Sequence, residues 1–142
     1  MARPRIAIIG AGRMGQGLGL ALQRRGYSAA LFARSERPVA ASLLLQTGDI
    51  SAVTNGAEVV IIATPDDAVT AVARQLTEAG AVTREQSVLH ISGLLDHLAL
   101  APLRETKAGL GSMHPLQTLA DPATAVERLQ GEIGRASCRE RV

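Results

Sequence analysis

The chain has 142 residues, enough for one domain with a buried core, and a net charge of only +2. Tyr27 and Phe32 are its only aromatic residues, so the core must be aliphatic, which argues against a base-stacking surface for single-stranded nucleic acid. Basic residues are dispersed along the chain, so the pI of about 9.3 reflects a small arginine excess, not a footprint for nucleic acid or anionic lipid. No run approaches the ~18 apolar residues of a membrane span, and the few residues before Gly10 hold no signal-peptide core; a cytoplasmic protein that partners neither nucleic acid nor membrane is expected.

The N-terminal run Ile6-Ala7-Ile8-Ile9 breaks into Gly10, Gly12 and Gly15, at the spacing G-x-G-x-x-G. A buried strand ending at Ile9 would need Gly10 for a tight turn. Gly12 would let a pyrophosphate approach without a Cβ in the way, and Gly15 would seat the next helix on the sheet. Leu18, Ala21 and Leu22 continue at helical spacing until Gly26, which is the strand–turn–helix context the motif requires. A dinucleotide is the expected ligand, its phosphates held at the helix N-terminus by Gly10, Gly12, Arg13, Met14 and Gly15. Gly17 and Gly19 inside the helix point to close packing on the sheet.

Ala29-Ala30-Leu31-Phe32 reads as the neighbouring parallel strand, whose end should lie beside the adenosine ribose. An acid there would bind the ribose hydroxyls of NAD; this chain offers Arg34, Ser35 and Arg37 instead. A guanidinium fork and a hydroxyl suit a 2′-phosphate, so NADP is expected over NAD. Glu36 stays open as a ribose ligand if the strand ends two residues later.

Residues 39–45 read as a short helix and 49–52 as a weak outer strand, followed by an Asn55-Gly56 turn. The β-branched run 59–63 reads as a strand covered on both faces. Thr64, Pro65 and Asp67 then fit a helix start, with Thr64 as the cap, while Ala63, Thr64 and Pro65 would line the cofactor cleft. A helix with Val69, Val72, Ala73 and Leu76 on one face ends at Gly80. A strand over 88–91, a helix over 95–104 interrupted by Pro102, a strand over 110–113 and a helix over 121–130 complete the pattern. Alternating strands and helices give an α/β doubly wound, mostly parallel sheet.

His90, His97 and His114 are the only histidines, and none has acidic or histidine neighbours at ligand spacing, so no metal is expected. His97 reads as structural or surface. Ser92 and His114 fall at strand C-termini, where open parallel sheets bind ligands, and are the candidate catalytic groups beside a nicotinamide. A packed or capping role for His114 stays open.

The motifs Ile8-Ile9-Gly10-Ala11-Gly12-Arg13-Met14-Gly15, Ala63-Thr64-Pro65-Asp66-Asp67, His90-Ile91-Ser92-Gly93 and Gly111-Ser112-Met113-His114-Pro115-Leu116-Gln117-Thr118 resemble bacterial Rossmann-like proteins that carry a C-terminal domain of unknown function. The first motif is shared with pyrroline-carboxylate reductases, prephenate dehydrogenases and 6-phosphogluconate-type enzymes. The resemblance implies an NADP-dependent oxidoreductase acting on an unspecified small substrate, with similarity to deazaflavin-dependent NADP reductases. It places His114 near an active site by analogy with prephenate dehydrogenases. It also implies a helical second domain, absent here, that would complete the active site and form a homodimer. A non-catalytic dinucleotide-binding or redox-sensing module is the competing function.

Residues 132–142 resemble the translation of a sequencing adapter, which would make 1–131 the NAD(P)-binding domain of a truncated parent and 132–142 a disordered tail; a genuine basic tail is the alternative. This tail holds three arginines against two glutamates, so one unit of the net charge lies in it. It also holds the only cysteine, Cys138, leaving 1–131 without thiol chemistry.

Overall fold

The computed structural model describes residues 3–113 and 137–141. The apolar runs form strands β1 (Arg5–Ile9), β2 (Ser28–Phe32), β3 (Leu44–Gln46), β4 (Val59–Ile62), β5 (Ser87–His90) and β6 (Gly109–Ser112), all parallel, with β7 (Ser137–Arg141) antiparallel at the edge. The sheet order is β3-β2-β1-β4-β5-β6-β7. From β1 the chain builds outward to β2 and β3 on one side, then crosses back to β4, β5 and β6 on the other. The helices are α1 (Arg13–Arg24), α2 (Ser51–Thr54) and α3 (Val69–Glu78), with a 3-10 segment over His97–Thr106.

Strand side chains alternate between faces, and both faces of the sheet are buried. Ile6 and Ile8 of β1 pack with Leu18, Ala21 and Leu22 of α1. Ala7 and Ile9 pack with Val69, Ala73 and Leu76 of α3 and with Leu100 and Leu103 of the 3-10 segment. Ile61 and Val60 of β4 divide in the same way. Each large aliphatic side chain so buried contributes roughly 1.5–3 kcal/mol relative to exposure, and this two-sided burial fixes the doubly wound topology. At Gly19 a Cβ would stand 3.0 Å from Leu43 and 3.1 Å from Leu31, which accounts for a poor helix former in mid-helix.

Several local expectations change. Residues 39–45 contain no helix: Leu44–Gln46 pairs with Ala30–Phe32 as β3, since an edge of β2 left bare would expose unpaired backbone groups. The expected outer strand at 49–52 is instead the entry to α2, because Asp49 Oδ1 accepts from the Ser51 amide at 3.0 Å and its hydroxyl at 2.8 Å and turns the chain. Those two bonds hold the exposed Asp49 carboxyl below its ordinary range, so its small stabilisation is present at neutral pH and lost as acid titrates the folded form. Pro65 is extended (φ −55, ψ 153) and followed by a 3-10 turn at Asp66–Ala68, so α3 starts at Val69, with no side-chain cap from Thr64. The expected helix over 95–104 is 3-10 in form; Asp96 Oδ1 caps it by accepting from Leu98 N at 2.9 Å, and Pro102 lies inside it. Ser137–Arg141 is a strand where a disordered tail is expected, because its backbone pairs with the otherwise open edge of β6. The helix expected over 121–130 lies outside the described residues.

The tightest demand in the fold is at Gly15, where a Cβ would collide with the carbonyl oxygen of Gly10. A backbone oxygen in a packed turn cannot give way as a side chain can. Gly15→Ala is therefore expected to lower stability by about 1–3 kcal/mol, read from urea denaturation; an unchanged midpoint would contradict this packing.

Candidate functional site

The site is built where β1 ends. Gly10 N donates to Phe32 O at 2.8 Å and Ala63 N donates to Ile9 O at 2.8 Å, so the glycine turn is clamped between the ends of β2 and β4. Its backbone has φ +120, and a Cβ there would lie 2.7 Å from Ala63 O. Only glycine fits. This is the point at which the chain leaves the central strand in both directions, the crevice where open parallel sheets bind ligands.

Gly12 follows as the residue before α1 and differs from its neighbours. Its backbone (φ −82, ψ −164) suits any residue, yet a Cβ there would meet nothing within 4 Å. Neither strain nor protein packing requires glycine here. The space a side chain would fill lies at the N-terminus of a twelve-residue helix with no side-chain cap and no acid in its first turn. The first bond of α1 runs from Gln16 N to Gly12 O at 2.9 Å, so the amides of Arg13, Met14 and Gly15 precede the helical ladder and face outward with the positive end of its dipole.

Beside this turn lies a cleft of about 370 Å³. Of the residues expected from the sequence, Gly10, Gly12, Arg34, Arg37, Ala63, Thr64 and Pro65 line it together. Thr64 Oγ1 is buried without a hydrogen-bond partner, an unsatisfied group that a ligand hydroxyl or amide would complete. Ile9, Ala11, Phe32, Ala33, Ala68 of the 3-10 turn, and Ala71, Val72 and Gln75 of α3 form the remaining wall. Gln75 escaped the sequence analysis; it lines the cleft with Ala71 and Val72, and Val72 also packs against the core.

Other expected residues stand outside the cleft. Arg13, Ser35 and Glu36 are exposed and do not line it, Met14 packs against the α1-side core, and buried Gly15 contacts the turn from below. Ser92 is buried, and its hydroxyl accepts from Leu94 N at 3.1 Å and Leu95 N at 3.3 Å. Its own amide donates to His90 Nδ1 at 3.2 Å. The fully buried His90 ring therefore carries its proton on Nε2, which donates to Asp96 O at 2.7 Å. Ser92 and His90 thus brace the loop after β5. His114 lies outside the described residues. Among the described residues no group of three or more His, Cys, Asp or Glu could hold a metal ion, and no helix is long and apolar enough to cross a membrane.

A larger cleft, about 530 Å³, opens at the opposite end of the strands, before β4 and β5, and includes Glu58, Glu85 and Gln86. Gln86 is already satisfied, accepting from Thr83 N and donating to Thr54 O and Ala57 O. The cleft's rim carries Glu58 and Glu85, and Gly56 O there is taken by the Arg5 guanidinium at 3.0 Å; it lies at the opposite end of the sheet from the α1 N-terminus, so size alone does not make it the nucleotide site.

Residues 1–115 match the Rossmann-like domain family. The chain belongs to that family. A search of curated proteins finds no match. Among solved structures, glycerol-3-phosphate dehydrogenase from Coxiella burnetii is similar at 17% identity and TM-score 0.66, over 89% of this chain and 43% of that one. Prephenate dehydrogenase from A. aeolicus, in complex with hydroxyphenyl propionate and NAD+, gives 15% and 0.61 over 82% and 43%. Pyrroline carboxylate reductase from Plasmodium falciparum, with NADP bound, gives 13% and 0.59 over 80% and 42%. At such identities the likeness shows the fold. The Rossmann-like chain spans less than half the length of these dehydrogenases and reductases.

The bracing role of Ser92 has a direct consequence. Ser92→Ala is expected to lower stability by about 1–2 kcal/mol, since two loop amides lose their acceptor. Chemical denaturation unchanged by the substitution would show that the hydroxyl is not committed to the loop.

Proposed function

We propose that this chain is the NADP-binding domain of an oxidoreductase that transfers hydride between NADP(H) and a small substrate. The observation that carries the reading is the open space at Gly12, a glycine that the protein's own packing does not require, at the bare N-terminus of α1. The cleft residues fit the cofactor. The amides of residues 13–15 would hold the pyrophosphate, Arg34 and Arg37 the 2′-phosphate, and Ala63, Thr64 and Pro65 the nicotinamide end. When bound, the cofactor would supply a hydride donor or acceptor. This chain's own residues bind and orient it, with Thr64 Oγ1 as the group still lacking a partner.

The parent protein, in this reading, is a longer bacterial, cytoplasmic enzyme whose second domain completes the active site and forms a homodimer, and residues 132–142 are adapter-derived. His114 and Ser92 remain the catalytic candidates from the sequence. One observation favours a second reading, a dinucleotide-binding module without catalysis. Both ring nitrogens of His90 are held by backbone groups, Ser92 N and Asp96 O, and the Ser92 oxygen holds two backbone amides, which leaves no imidazole free to move a proton at the end of β5. NADPH oxidation by the intact parent that depends on an added carbonyl or imine compound supports the enzyme; binding without turnover across such a panel supports the module.

The site is tested by titrating the 142-residue chain with NADPH and NADH. NADPH is expected to bind more tightly, and replacing both Arg34 and Arg37 with Ala should remove that preference, a loss of at least about tenfold in NADPH affinity. Gly12→Ala should weaken both nucleotides by a similar factor while shifting stability by less than about 0.5 kcal/mol. Failure of the folded chain to bind either nucleotide would overturn the assignment.

A further inference from the structure

The segment that carries Arg34 and Arg37 has no regular structure of its own: residues 33–43 lie between β2 and β3 without helix or strand. Its position relative to the glycine turn comes from the packing of Val39, Ala40 and Leu43 on the α1-side core together with a few specific contacts. Ala33 N donates to Gln46 O at 3.1 Å and fixes the start. Gln23 Nε2 donates to Ser42 O at 3.0 Å near the end, in an exposed position. Between them a part-buried side chain reaches both halves of the cleft: Gln16 Nε2 donates to Ala11 O at 2.9 Å, and Gln16 Oε1 accepts from Ala40 N at 3.1 Å.

Gln16 is suited to this by its place on α1. It follows Gly15 directly, and its backbone amide closes the first helical bond to Gly12 O. Its side chain folds back over the turn that Gly12 opens. An amide side chain can donate to one backbone carbonyl and accept from one backbone amide at once. Both of its contacts are to main chain, so it reads the positions of two segments, not the identity of their side chains. Ala40 stands three residues beyond Arg37, with Pro38 fixing one backbone angle between them. Little slack remains between the Gln16 contact and the arginines.

We infer that Gln16 is a specificity-determining positioning residue, tying the Ala11 carbonyl of the glycine turn to the Ala40 amide so that Arg34 and Arg37 are held at a set separation from the α1 N-terminus. This rests on the reading of those arginines as the 2′-phosphate pair. A molecule with two phosphate groups at that separation is selected, and one with only the phosphates at the glycine turn gains nothing from the tie. Preorganisation of this kind lowers the ordering cost of binding for the first ligand alone.

The test is the ratio of NADPH to NADH affinity in the 142-residue chain, measured by nucleotide fluorescence for the unmodified protein and for Gln16→Met, with thermal unfolding followed in parallel. Gln16→Met keeps the length of the side chain and removes both hydrogen bonds. NADPH affinity is expected to fall about tenfold, NADH affinity by less than about threefold, so the ratio collapses. Ala40→Pro removes the amide that Gln16 holds while leaving Gln16 in place, and should collapse the ratio in the same way. It decides the matter if Gln16→Met fails to fold. An unchanged ratio, or an equal loss for both nucleotides, overturns the inference. If the unmodified chain prefers NADPH and loses the preference on replacement of Arg34 and Arg37 but not of Gln16, only this inference falls. If the unmodified chain binds neither nucleotide, the nucleotide site falls with it.

Discussion

Between the end of β1 and the end of β4 there is no room for a side chain. A Cβ on Gly10 would sit 2.7 Å from Ala63 O, and one on Gly15 would strike Gly10 O. This close approach lets α1 leave β1 at once and lie on the sheet, with Ile6 and Ile8 buried beneath it and Ala7 and Ile9 beneath α3. The rest of the architecture is conditional on it. Moving α1 outward to make room for a side chain would unpack the face that Gly19 lets it approach.

The same turn separates two uses of glycine. Gly10 and Gly15 are glycines because the protein leaves no space. Gly12 is a glycine where the protein leaves space unused. The first kind reports on folding, and the second on something that enters. The dipole of α1, the exposed arginines of the segment after β2 and the unsatisfied Thr64 hydroxyl converge on the side of the sheet where that space opens. The cleft at the N-terminal ends of β4 and β5 has a larger volume but no such convergence.

Much of this was legible in the sequence because strand burial on two faces writes itself as unbroken apolar runs. Runs at 6–9, 29–32 and 59–63 became β1, β2 and β4 within a residue or so. What was not legible depended on partners distant in sequence. Leu43, Leu44 and Leu45 suit a helix as well as a strand, and only the bare edge of β2 decides for the strand. Asp49 reads as a strand residue until its carboxylate turns back onto Ser51. Thr64 has the composition of a cap, but the extended Pro65 carries α3 away from it. In the site, the glycines and arginines carried a motif, whereas Gln16 carried none: its role is a pair of hydrogen bonds to main-chain atoms 5 and 24 residues away. Ser92 shows the converse, a residue in a suggestive position whose oxygen holds two amides of its own loop.

The central claim is that the occupant of the Gly12 space is a dinucleotide. The most direct measurement is a map of backbone amide chemical shifts in the isotope-labelled chain as NADPH is added. The account predicts the largest changes at residues 12–16 and 34–37, with the cleft at the opposite end of the strands, residues 54–58 and 80–86, little moved. Changes concentrated at that opposite end, with the glycine turn unmoved, would contradict it.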